Sequence, residues 1–98
     1  REAAFVQISE TAVERALRTD RWKYSAYDPD ADPTADPGSD TYVDRYLYDL
    51  HADPHEDVNL IGRSDYESIT SQLRNHLRER IERVEGRSVD ISPAQFHA

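Results

Sequence analysis

The chain has 98 residues, 20 of them acidic and 12 basic, for a net charge of −8. This is enough for one small domain, and the acidic balance excludes nucleic acid and anionic membrane as main partners, since both reward a basic face. No apolar run approaches a bilayer span and no signal-peptide pattern is present. Cysteine is absent too, which excludes disulfides, thiolate zinc sites and a cysteine nucleophile, and leaves the compartment unknown.

The chain contains no Met, so Arg1 is expected to be a processed end or, preferentially, the start of a piece cut from something longer. Residues 4–9, AFVQIS, are apolar and β-prone, with Ala4, Val6 and Ile8 on one face. Residues 13–19 read as a second strand, with Val13, Arg15 and Leu17 alternating against Glu14, Ala16 and Arg18. Thr19-Asp20-Arg21 is turn-like, and residues 22–27, WKYSAY, form a third strand that pairs most simply with the second as an antiparallel hairpin. Residues 28–41 form an acidic loop in which three Asp-Pro pairs and a Gly forbid regular structure, and this loop is expected to be mobile. Its Asp28, Asp30 and Asp32 begin like a calcium loop. Pro33 then stands where a Gly is required and Ser39 where a Glu should be, which makes a solvated, repulsive loop the expectation.

A fourth strand is expected at 44–50. It ends at Asp53-Pro54-His55-Glu56, which has the residues of a small helix start: Asp53 as N-cap, Pro54 at the first helical position and Glu56 able to close a capping box. His51 and His55 are four apart, a chelating spacing on a continuous helix, but Pro54 interrupts any such helix. A second capping box, Ser64-Asp65-Tyr66-Glu67, opens a helix over 65–85 that stops at Gly86. Tyr66, Ile69, Leu73, Leu77, Ile81 and Val84 fall within an arc of about 120° and predict one buried stripe. Arg80 lies inside that stripe, either snorkelling to its edge or facing something outside this chain. Residues 87–98 read as a loose tail anchored by Val89, Ile91 and Phe96. The expected class is α+β: an antiparallel sheet of three to four strands with one long amphipathic helix on one face, in a single unit over 1–86.

Two motifs carry a resemblance. Arg15-Ala16-Leu17-Arg18-Thr19-Asp20-Arg21-Trp22-Lys23-Tyr24 is followed, after the loop, by Tyr46-Leu47-Tyr48-Asp49-Leu50-His51-Ala52-Asp53-Pro54-His55-Glu56-Asp57-Val58-Asn59-Leu60, and then by the helix. In this order they resemble the C-terminal subdomain of sulfatases, within the alkaline-phosphatase-like superfamily. The likeness spans residues 5–85 and departs at Tyr46, where Glu is frequent, and in the acidic loop.

The resemblance implies a parent enzyme that hydrolyses sulfate esters with a formylglycine nucleophile and a divalent ion such as calcium, both held by an N-terminal catalytic domain. Neither motif is in this chain: Ser92-Pro93 is followed by Ala94-Gln95 and lacks the nucleophile spacing. The chain by itself is therefore expected to be non-catalytic, without cofactor or metal ligands, and packed on that catalytic domain, where it shapes the substrate entrance. Arg15, Arg18, Trp22, Lys23 and Tyr24 are the candidates for the substrate rim or the interdomain contact, and Asp53, Pro54, Glu56 and Asn59 for the structural turn. The sheet face away from the helix is expected to be apolar, so an isolated fragment would self-associate. Two rival readings are a stand-alone acidic protein-interaction module and the equivalent piece of a related phosphatase or phosphonate-ester hydrolase.

Overall fold

The computed structural model describes residues 4–8, 13–32 and 38–94. Arg1 to Ala3, the centre of the acidic loop at 33–37 and the anchor expected at Phe96 lie outside the described residues. Four strands follow one another as an antiparallel meander: β1 (Ala4–Ile8), β2 (Val13–Arg18), β3 (Trp22–Asp28) and β4 (Thr41–Asp49). One turn of 3-10 helix (Ser64–Tyr66) leads into α1 (Glu67–Glu85), and β5 (Asp90–Ser92) then pairs parallel to the start of β4. The sheet order is β1-β2-β3-β4-β5. This is the expected α+β arrangement with a fifth strand added. Residues 90–92 were expected in a loose tail. They form a strand because the chain leaving α1 returns along the outer edge of β4, where Asp90 N–H donates to Asp40 C=O at 2.9 Å.

The hairpin between β2 and β3 closes on Thr19. Its N–H donates to Trp22 C=O at 2.8 Å, and its hydroxyl accepts the Trp22 N–H at 2.9 Å. Between Ser25 and Ala26 the β3–β4 register shifts: Ser25 faces Tyr46 and Ala26 faces Asp44. Arg45 is the extra residue of this bulge, and beyond it β4 continues back to Thr41, three residues earlier than the sequence suggested. The added pairing is anchored by Ser39, whose hydroxyl donates to the Asp28 carboxylate at 2.5 Å.

α1 lies on one face of the sheet. Leu73, Leu77 and Ile81 pack there against Val13, Leu17, Tyr24, Ala26, Tyr42 and Leu47, with Leu60, Ile61 and Val89 closing the ends. Val84 does not join them: it is 58% exposed. The steps of four through Leu73, Leu77 and Ile81 lead to Glu85 rather than Val84, and Glu85 is the residue that points back at the sheet. Thr70 is buried at the other end of the stripe, its hydroxyl satisfied by Tyr66 C=O at 2.8 Å. Arg80 is half-buried beside the stripe and engaged with its surroundings.

The capping box at Ser64 is not made, and neither helical start has a side-chain capping bond. The 3-10 turn comes first, so Ser64 and Glu67 straddle a junction instead of flanking one turn of α-helix. Gly86 ends the helix as expected, at φ 70° in the left-handed region, with its N–H donating to Glu82 C=O at 3.0 Å.

Candidate functional site

The two sequence motifs meet in space. Arg21, in the hairpin of the first, donates to both carboxylate oxygens of Asp49 in the second, at 2.9 and 3.2 Å. This hydrogen bonding holds the Asp49 carboxyl below its ordinary range and raises Arg21. Lys23 donates to Glu56 at 3.0 Å and lies over the Tyr46 ring. Asn59 replaces a neighbouring strand along the free edge of β4. Its Oδ1 accepts the N–H of Leu47 at 2.9 Å and of Ile61 at 3.0 Å, and its Nδ2 donates to Arg45 C=O at 3.1 Å. Beside it Leu60 N–H donates to Leu47 C=O at 2.8 Å.

The turn itself differs from the small helix start expected of it. Glu56 N–H donates to Asp53 C=O at 3.0 Å across a tight turn in which Pro54 takes the position that suits its fixed φ. Glu56 then adopts φ 58°, which breaks any helix and swings the chain back. The Asp53 carboxylate thereby receives the N–H groups of Asp57 and Val58, each at 2.9 Å, and these two bonds hold its carboxyl below the ordinary range. Glu56 closes no capping box because its carboxylate is committed to Lys23. His51 and His55 are exposed on this turn. No group of three His, Asp or Glu among the described residues could hold a metal.

The candidate rim residues do not share one surface. Arg15, Trp22 and Tyr24 face the helix. Arg15 is 1% exposed, paired with Glu85 at 2.6 Å and bonded to Glu14 C=O at 2.9 Å. Trp22 meets Tyr66 edge-on at 6.2 Å and carries the Arg21 guanidinium over its ring at 4.7 Å. Tyr24 is fully buried and donates its hydroxyl to Asp44 at 2.5 Å. Burial, and then the Asp44 charge, push its phenol well above the ordinary value. Arg74 completes this cluster with two bonds to Asp44, at 2.6 and 3.1 Å. Asp44 escaped the sequence reading, and Arg74, which helix spacing places on a solvated face, instead has a side chain only 13% exposed because Asp44 draws it against the sheet. The bulge at Arg45, invisible in the pattern, is what turns Asp44 toward the helix.

Arg18 and Lys23 face away from the helix, as directly opposed cross-strand partners. On the same open face Glu14 accepts from Ser25 Oγ and from Arg45, the latter at 2.8 Å, and Arg45 lies over the Tyr27 ring at 4.6 Å. Tyr46 and Tyr48 stand side by side, ring centres 5.0 Å apart. Burial, followed by the Glu14 charge, pushes Tyr46 up to about 12. The expected apolar face is thus, among the described residues, a mixed one of tyrosines and paired charges, because the bulge brings Arg45 to this side beside Glu14.

No protein-family model matches the chain, and no curated protein matches it. Solved structures do. BT4656, in complex with its substrate D-glucosamine-2-N,6-O-disulfate, superimposes over 88% of this chain at TM-score 0.66 and 23% identity. The Bacteroides fragilis protein yidJ, described as a sulfatase, does so over 86% at 0.59 and 22%. A Bacteroides thetaiotaomicron protein, also described as a sulfatase, does so over 94% at 0.59 and 24%. The likeness establishes the fold, and the resemblance read from the two motifs holds at that level. This chain spans 16 to 19% of the length of those structures.

Proposed function

We propose that this chain is the C-terminal subdomain of a sulfatase-like hydrolase and that its work there is structural. The observation that carries the reading is the partial match: nearly all of this chain corresponds to under a fifth of each larger protein. The two motifs support it. Arg21, Lys23, Asp49, Asp53, Glu56 and Asn59 tie a hairpin, a strand edge and a turn to one another, so the signature is one of fold rather than chemistry.

The open face of Arg18, Lys23, Tyr27, Tyr46 and Tyr48 packs against the catalytic domain, which supplies the nucleophile and metal, while α1 covers the other face. Tyr and Arg are the residue types that interface cores favour. The sulfated amino sugar bound by BT4656 supports a sulfated sugar, rather than a phosphate ester, as the parent's substrate. The test is the full-length reading frame. It should encode, upstream of these residues, a Cys/Ser-x-Pro-Ser/Ala-x-Arg segment, and the expressed protein should release sulfate from sugar or aryl sulfates. A reading frame without that segment, or a full-length protein that cleaves only phosphate esters, overturns the proposal.

A further inference from the structure

We infer that Arg18 is the electrostatic anchor of the open sheet face and docks on a carboxylate of the catalytic domain of the same polypeptide; this rests on the reading proposed above. Arg18 and Lys23 are opposed across β2 and β3 on that face. Like charges placed so are destabilising unless compensated. Lys23 is compensated by Glu56 at 3.0 Å, whereas exposed Arg18 has no carboxylate partner among the described residues.

Of the other charges at the described face positions, one pair cancels and one carboxylate is left over. Arg45 pairs with Glu14 at 2.8 Å, and Asp90 lies at the far edge on β5. Counting Arg18 and Glu56, three cations stand against three carboxylates at the described face positions, so the net charge of −8 belongs to residues outside these positions. A carboxylate-bearing protein surface is therefore repelled elsewhere and admitted here, at the Arg18 end. Half-buried Tyr46 and Tyr48 lie next to Lys23 at this same end. Arg and Tyr are the side chains on which interfaces concentrate their energy. The occupant is a protein surface rather than a small sulfated ligand, because this end is open sheet. The cavity of about 250 Å³ lies beyond it, lined by Tyr27, Pro29, Val43, Asp44 and Ala94.

The experiment uses the full-length polypeptide with Arg18→Glu, Arg18→Lys and the double variant Tyr46→Ala/Tyr48→Ala. The readouts are the rate of limited proteolysis at the junction between the two parts and the KM for a sugar sulfate. Arg18→Glu should speed cleavage about tenfold at low salt, as loss of a docked charge pair does. Arg18→Lys should retain most of the protection, and high salt should bring the unsubstituted protein toward Arg18→Glu. Arg18 is exposed, so these variants fold. If the tyrosine variant is cleaved faster and Arg18→Glu is not, the face docks without Arg18 and the inference falls while the docking reading survives. If neither changes cleavage, both fall. If Arg18→Glu raises KM with cleavage unchanged, Arg18 serves the substrate and the inference is overturned.

Discussion

Asp44 is a carboxylate 4% exposed, held between a phenol and a guanidinium. The two partners are not equivalent. Tyr24→Phe removes one neutral donor and leaves the ion pair whole, which should cost about 1–2 kcal/mol in urea unfolding. Asp44→Asn leaves Arg74, largely buried, with only the longer contact to exposed Glu67 at 3.7 Å as counter-charge, and should cost about 3 kcal/mol. Equal losses for the two would refute the ion-pair account. Two further carboxylates set the acid limb of stability. Asp49 and Asp53 are both depressed below the ordinary range in the folded state. Their contribution is fully present above about pH 4, the unfolded value, and is lost as pH falls through the lower folded values. Urea midpoints followed downward from neutral pH should therefore drop below about pH 4. Asp49→Asn should flatten that drop.

At the scale of elements, the free edge of β4 is closed by a side chain. Asn59→Ala should cost about 1–2 kcal/mol and expose the Leu47 amide to fast hydrogen exchange, because a partly buried N–H loses its acceptor. Unchanged protection at Leu47 would show that the Leu60 backbone bond suffices alone. At the other end of the chain, Gly86 sits in the left-handed region with open space where a Cβ would stand. Gly86→Ala should accordingly cost only the backbone strain, about 1 kcal/mol. Gly38 is the contrasting case, since its Cβ would stand 3.0 Å from Glu85 and 3.1 Å from Arg15. There the loop end lies over the buried ion pair, and Ala must displace it.

For the molecule as a whole, stability rests on one helix over one sheet. Leu77, fully buried at the centre of the stripe, is the position where truncation hurts most. Leu77→Ala should cost about 2–5 kcal/mol, a large part of the 5–15 kcal/mol typical of a domain. The opposite face shows a different logic. Among the described residues Lys23 and Arg45 are paired within the face while Arg18 is not, the face carries three of the six tyrosines, and none of the chain's net negative charge falls there.

The sequence by itself determined the α+β class, the order of the first four strands and the helix, the Gly86 stop and the residues of the two motifs. These depend on local periodicity and backbone preference, which neighbouring residues carry. Only the tertiary structure decided what the motif residues do. Glu56 reads as a helix cap until Lys23 is brought beside it from the other motif. Val84 reads as core until the stripe is seen to end on Glu85 and Arg15. The bulge at Arg45 has no mark in the alternation of β4, yet it assigns Asp44 to the helix side and Arg45 to the open face. Pairings between residues distant in the chain depend on register, and register depends on how the whole sheet packs beneath its helix.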